Sequence, residues 1–474
     1  MNKRKIIIIG AGIAGLTAGC YGQMNGYDTE LFEMHNIPGG LCTAWQRKGY
    51  TFDGCIHFLM GTNQNSWLNN FWKAVGAIQG TENEIINPDV YMQIEGDAGE
   101  KLILYSDMVK LEKHMLELSS EDSALILELT DAIRNFTLAN NPSDSKVSRL
   151  RKISMEEFSQ EFKNSFLREA LAIFKDMQFF LSTMSAYNSN DAGWPTGGSL
   201  EFARRMEKRY LALGGRIRYK AKVDEIIVKD NRAVGIKLSE GSVHTADLVI
   251  SAADGYATIF RMLQGKYTND EIISLYTEGK TYPTSVQISL GIDCDLSKEP
   301  YNLYFKTHTP IELLGQNKTH FFINNYSFDK SMCPPGKSIV TTTISSNYEY
   351  WERLVRGSED YNIEKEKTAD VFVKELEVRF PQIKGKVEVV DVATPLTYAR
   401  YTDAWKGAYM SWRSTPEKPI TSVPSTLPGL EGFYMTGQWT YSRGGLPTAL
   451  MTARGSLMKI CAEDGKKFID MLDS

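Results

Sequence analysis

Ile6-Ile7-Ile8-Ile9-Gly10-Ala11-Gly12-Ile13-Ala14-Gly15 decides how the rest of the chain is read. Four β-branched residues in a row suit a strand buried on both faces. Gly10, Gly12 and Gly15 follow at G-x-G-x-x-G spacing, and an apolar helix is predicted from about Ala14 to Asn25, stopped by Gly26. Next, Thr29-Glu30-Leu31-Phe32-Glu33 reads as a second strand, and Glu33 lies 23 residues after Gly10. Strand, glycine turn, helix and strand-end acid together form a dinucleotide-binding fingerprint. Gly10 permits the tight turn, Gly12 the backbone's approach to a pyrophosphate, and Gly15 close helix–strand packing. Free N–H groups of Ile13 and Ala14 at the helix start would face the phosphates. Glu33 would accept hydrogen bonds from a ribose.

The same stretch has a rival reading. Lys3, Arg4 and Lys5 precede an apolar run ending at Cys20, as in an export signal with a lipid-attachment cysteine. Thr17 occupies the position where such signals carry an aliphatic residue, and three glycines weaken a signal helix. The stretch is therefore read as a retained phosphate cradle.

The 474 residues allow more than one domain, and a formal charge of −5 favours neither nucleic acid nor an acidic tail. Beyond the opening run no apolar segment is long enough to span a bilayer, which leaves room for peripheral membrane contact in a cytoplasmic protein. The six cysteines form no Cys-x-x-Cys pair and the six histidines lack ligand spacing, so neither a dithiol centre nor a metal is indicated.

Further along, Ser119 or Ser120 is predicted to cap a helix through about Thr137, and Ser154-x-x-Glu157 has the capping-box form. "NNPSDSKVSRLRK" between them reads as an exposed loop. Phe166 to Met184 carries apolar residues at helical spacing, as does Leu200 to Leu213. Strands are predicted over Ile217–Ile227, Ala233–Leu238 and Leu248–Ser251, and a helix near Thr368–Phe380.

Four ordered stretches carry a family resemblance. Pro38-Gly39-Gly40 with Gly49-Tyr50-Thr51-Phe52-Asp53-Gly54, the block from Pro195-x-Gly197-Gly198 to Ala252-Ala253-Asp254, "TPLTYARYTDAWKGAYMSW" at 394–412, and Thr436-Gly437-x-Trp439-Thr440 with Gly444-Gly445-Leu446-Pro447 resemble the phytoene desaturase, carotenoid isomerase and retinol saturase group. The resemblance implies non-covalent FAD and a Rossmann-type α/β domain of the glutathione reductase-like, amine oxidase-like superfamily, with an inserted α+β substrate domain. Residues 1–75, 193–256 and 420–474 would form the FAD domain, and 76–192 and 257–419 the substrate domain. It places Gly39, Gly40, Leu41, Val223, Ala253, Gly437, Gln438, Gly445 and Leu446 against the cofactor. Leu41 and Ser442-Arg443 depart from the group's usual arginine and Pro-Gly.

What the resemblance implies for function is hydride exchange between flavin and the C=C bonds of an apolar polyene or lipid: desaturation, saturation or isomerisation. His57 would act as acid/base or hold the substrate's end, or be a hydrogen-bonded strand histidine. Trp439 and Tyr441 would wall the flavin or pack in the core, and Arg443 would stabilise anionic reduced flavin or face solvent. Asp53 would fix its own turn. Two other classes share the architecture: flavin amine oxidases, which use an aromatic pair and a lysine, and the non-enzymatic escort proteins of prenylated GTPases.

Overall fold

The isoleucines of the strand Lys5–Ile9 are all buried, and their alternation decides how the molecule is layered. Ile6 and Ile8 point into a core shared with the helices Ile13–Met24, Gly198–Ala212 and Leu446–Glu463. Ile7 and Ile9 point the other way, into a core shared with an antiparallel meander of Val223–Lys229, Arg232–Leu238 and Val243–Thr245. Burial on both faces is what a continuous β-branched run achieves in a parallel sheet. The sheet has five parallel strands in the order Arg216–Arg218, Asp28–Phe32, Lys5–Ile9, Leu248–Ser251, Phe433–Met435. The computed structural model describes residues 3–81, 83–136, 145–356, 360–413, 422–441 and 444–471.

A second lobe is built on a seven-stranded sheet in the order Val387–Ala393, Thr284–Ile292, Ser338–Ser346, Gln316–Asn325, Asn302–Leu313, Val90–Glu95, Lys101–Tyr105. Every residue of Thr284–Ile292 is buried. Helices from Met108–Leu118 to Met177–Asn188 form an apolar cluster against the edge formed by Val90–Glu95 and Lys101–Tyr105.

Four local expectations are corrected. Ile217–Ile227 is not one strand: Lys220, with φ +55°, turns the chain, so Arg216–Arg218 joins the parallel sheet and Val223–Lys229 the meander. Phe166–Met184 is two helices, Ser165–Ala172 and Met177–Asn188. Asp176 starts the second by accepting a hydrogen bond from the N–H of Phe179, so the local cap overrides the continuous apolar spacing. Part of the presumed loop, Ser145–Leu150, is helical, while its earlier residues lie outside those described. The helix expected from Ser119 or Ser120 begins as a 3-10 turn, Ser120–Asp122, and runs as Ser123–Arg134; Thr137 lies outside the described residues. The capping box at Ser154 and Glu157 is present.

Candidate active site

The cradle is assembled from backbone. The N–H of Gly10 donates to Phe32 O at 2.8 Å, turning the chain at the end of the first strand. A Cβ on Gly15 would stand 1.9 Å from Gly10 O, so only glycine lets helix and turn approach this closely. Gly12 forms a parallel bridge with Gly39, whose N–H donates to Ala11 O at 2.9 Å. Gly39 has φ +111°, and a Cβ there would meet Cys42 O at 2.2 Å. The helix Ile13–Met24 has no side-chain cap and no acid in its first turn. Its first N–H groups, those of Ile13, Ala14 and Gly15, therefore need an acceptor from elsewhere, and a pyrophosphate is the acceptor such a turn fits.

Glu33 follows the second strand and is buried. One carboxylate oxygen accepts from the N–H of Ala11 at 2.7 Å, the other from that of His35 at 2.8 Å. Burial holds its carboxyl above the usual range, against these donors. Each oxygen keeps a lone pair for a ribose hydroxyl. The N–H of Ala221 donates to Glu33 O at 2.8 Å, which sets Ala221 beside the acid and starts the strand of Val223 two residues on. The backbone of Ala252 and Ala253 faces Gly10, with Ala253 N 3.6 Å from where a Gly10 Cβ would lie. Leu41 is half-buried on the loop after Gly40.

The carboxy-terminal segment closes the other end. Gly437 stands over the first helix, its Cβ position 3.5 Å from Ala14 Cβ, and its N–H donates to Thr452 Oγ1 at 3.0 Å. Gln438 begins a short 3-10 turn. Gly445 starts the helix Leu446–Glu463, which again has no side-chain cap and no acid in its first turn. The structure thus brings Gly10, Gly12, Ile13, Ala14, Gly15, Glu33, Gly39, Ala253 and Gly437 to one cradle with two uncapped helix starts. Arg443 lies outside the described residues.

Trp439 does not line this cradle. It is buried in an aromatic cluster with Trp412 at 5.1 Å and Tyr276 and Trp405 at 6.2 Å between ring centroids. Tyr441, two residues on, is 57 % exposed and takes no part in that cluster. His57 is not on a strand but in the turn between Tyr50–Asp53 and Leu59–Met60. Its backbone oxygen accepts from the Tyr301 hydroxyl at 2.6 Å. Among the described residues its imidazole has no hydrogen-bond partner, and enclosure by protein pushes its pKa down even though its side chain borders open space.

Asp53 does more than hold its own turn. One oxygen accepts from the N–H groups of Cys55 and Ile56 and from Ser199 Oγ at 2.6 Å; the other accepts from the N–H of Ser199, also at 2.6 Å. A residue remote in sequence thus caps the helix Gly198–Ala212, whose own N-cap, Gly197, has no side chain to offer. Burial raises the Asp53 carboxyl to about 6. Ser199 and Tyr301 were not singled out in the sequence, because no spacing marks a partner over a hundred residues away.

A two-lobed fold with a backbone cradle at one end of a parallel sheet defines a dinucleotide-binding protein. Residues 13–456 match the family described as flavin containing amine oxidoreductase. The chain belongs to that family, and its cofactor is FAD. Among curated proteins it is 25 % identical to the chloroplastic prolycopene isomerase of Daucus carota, over 91 % of this chain and 75 % of that one. It is 23 % identical to the all-trans-retinol 13,14-reductase of Danio rerio, over 91 % and 82 %. The crystal structure of an oxidoreductase from Methanosarcina mazei superposes with a TM-score of 0.59 at 20 % identity, covering 96 % of this chain and all of that one.

Proposed function

We propose that this FAD-dependent oxidoreductase acts on C=C bonds of an apolar polyene or related lipid. The observation that carries the reading is the neutrality of the wall around the Gly54–His57 turn. The protein around it pushes the exposed His57 imidazole down, and burial pushes the Tyr301 and Tyr326 hydroxyls, whose rings lie 5.8 Å apart, up, which favours the uncharged form of each. Asp53, the carboxyl that opens this turn, is spent on capping a helix. A wall of this kind solvates a long apolar chain and offers no counter-ion to a cationic amine. The prolycopene isomerase and retinol reductase similarities support the same substrate class.

FAD, when bound, supplies hydride acceptance or return at carbon. The chain's own part is to orient the substrate against the cradle, exclude water, and hold the His57 imidazole at the wall. Purified holoprotein incubated anaerobically with candidate polyenes tests this by product mass. Loss of a hydrogen pair identifies a desaturase, gain a saturase, and unchanged mass with altered geometry an isomerase. No product from any polyene, with oxidation of amines in air, would overturn the reading.

A further inference from the structure

Cys42 and Cys55 are far enough apart in sequence to look unrelated, yet the fold sets them opposite each other. Ala44–Arg47 and Tyr50–Asp53 form an antiparallel hairpin in which Ala44 faces Asp53. The N–H of Gly54 donates to Thr43 O at 3.0 Å and carries the ladder one step further. The ladder ends there, since the N–H of Thr43 turns to Leu41 O at 3.1 Å, and Cys42 and Cys55 are the next residues out on the two sides. Facing residues of an antiparallel pair have Cα atoms about 4.5–5.5 Å apart, inside the range a disulfide spans. The two thiols are free and within hydrogen-bonding reach of each other. Cys42 is buried and its thiol also reaches Ser199 O at 3.5 Å, while Cys55 is only half-buried.

Their location gives the pair a consequence. Cys42 ends the loop that begins at Gly39, and its N–H donates to Gly39 O at 3.0 Å. Cys55 lies in the turn that Asp53 organises and that carries His57. Two residues after Cys55, His57 O accepts from the Tyr301 hydroxyl at 2.6 Å, so Cys55 adjoins that wall of the site. A bond between the two sulfurs would tie the pyrophosphate loop to the wall of the substrate space.

We propose that Cys42 and Cys55 form a reversible disulfide that locks the cofactor loop closed. With hydrogen peroxide as oxidant, the more accessible Cys55 is oxidised to a sulfenic acid, releasing one water. The Cys42 sulfur then displaces the hydroxyl, which leaves as a second water as the S–S bond forms. Two thiols and one peroxide give one disulfide and two waters, and a dithiol reductant reverses the step.

The test treats FAD-loaded protein with hydrogen peroxide, blocks remaining thiols, digests and maps the peptides by mass spectrometry. A linked peptide joining Cys42 to Cys55 is expected, short of two hydrogens, restored by dithiothreitol and absent from Cys55→Ser and Cys55→Ala. Cys20, Cys294, Cys333 and Cys461 in the same digest should stay unlinked. Flavin release from the oxidised wild type, followed by fluorescence, should slow several-fold, and peroxide should not slow it in Cys55→Ser. No linked peptide, or an unchanged release rate in protein shown to be linked, overturns the proposal. Neither readout uses a substrate, so failure here is distinct from failure of the polyene reading.

Discussion

Glu33 and Asp53 are both buried carboxyls, and they do opposite things. Glu33 keeps lone pairs for a ligand; Asp53 spends its own on Cys55, Ile56 and Ser199. Replacing Glu33 by Ala should therefore weaken FAD binding by about 10- to 100-fold, the worth of one or two hydrogen bonds to a charged group. Fluorescence titration of the apoprotein with FAD measures this, and equal affinity would remove Glu33 from the site. For Asp53 the effect is on stability. Its carboxyl, raised to about 6, holds a proton in the folded chain at pH values where the unfolded chain has lost it. Folding is thus favoured below the unfolded value near 4, and that contribution is lost as pH rises from about 4 to 6. The loss is on the order of 3 kcal/mol for one such group. Urea unfolding at several pH values should show this slope in wild type and its absence in Asp53→Asn; parallel profiles would contradict it. The cradle glycines and Glu33 were legible because their spacing is local. The Asp53–Ser199 cap and the Cys42–Cys55 pair were not, since each depends on segments that only the fold brings together.

At the scale of elements, local caps set boundaries where apolar periodicity alone misplaces them. Phe166–Met184 looks continuous because both helices bury the same kind of face, but Asp176 restarts the chain. A similar device holds the helical part of the second lobe. Asp122 is buried and accepts from the N–H groups of Lys163 and Asn164 at 2.8 and 3.0 Å and from Ser119 Oγ at 2.8 Å. Asp122→Ala leaves those donors without their acceptor and should cost about 1–3 kcal/mol. Hydrogen exchange should quicken in Ser123–Arg134 and Ser165–Ala172 and leave the parallel sheet unchanged. Uniform exchange throughout would show that the lobe has no stability of its own. Helix identity was legible here; helix ends were not, because a single carboxylate decides them.

For the whole molecule, the cradle draws on residues from both ends of the chain, so a bound dinucleotide must stabilise all of it. FAD in 100-fold excess over its Kd should add about 2.7 kcal/mol and raise the Tm of the entire transition. Differential scanning calorimetry of apo- and holoprotein should show one cooperative peak moving; movement of only part of the heat would separate the lobes. Between them, the buried pair of Arg205 with Glu84, at 3.1 Å, ties the helix Gly198–Ala212 to the loop before the second lobe. Breaking it in Glu84→Gln should destabilise by about 3–5 kcal/mol, because the largely buried guanidinium loses its counter-charge and keeps only the carbonyl oxygens of Ala77 and Thr196. A Tm shift of a degree or less would place the pair at the surface in energetic terms.

The central strand also imposes an order of events during synthesis. Ile9 pairs with Phe32 on one side but waits for Ser251 on the other, and Ser251 in turn waits for Met435. At about 5–20 residues per second, a ribosome exposes the first strand on the order of 10–50 seconds before its second neighbour emerges. During that interval Ile6–Ile9 has one face of hydrogen bonds unpaired, the kind of apolar edge that aggregates or recruits a chaperone. Nascent chains arrested before Leu248 should therefore bind a holdase and no flavin, while chains extended past Leu446 should release the one and take up the other.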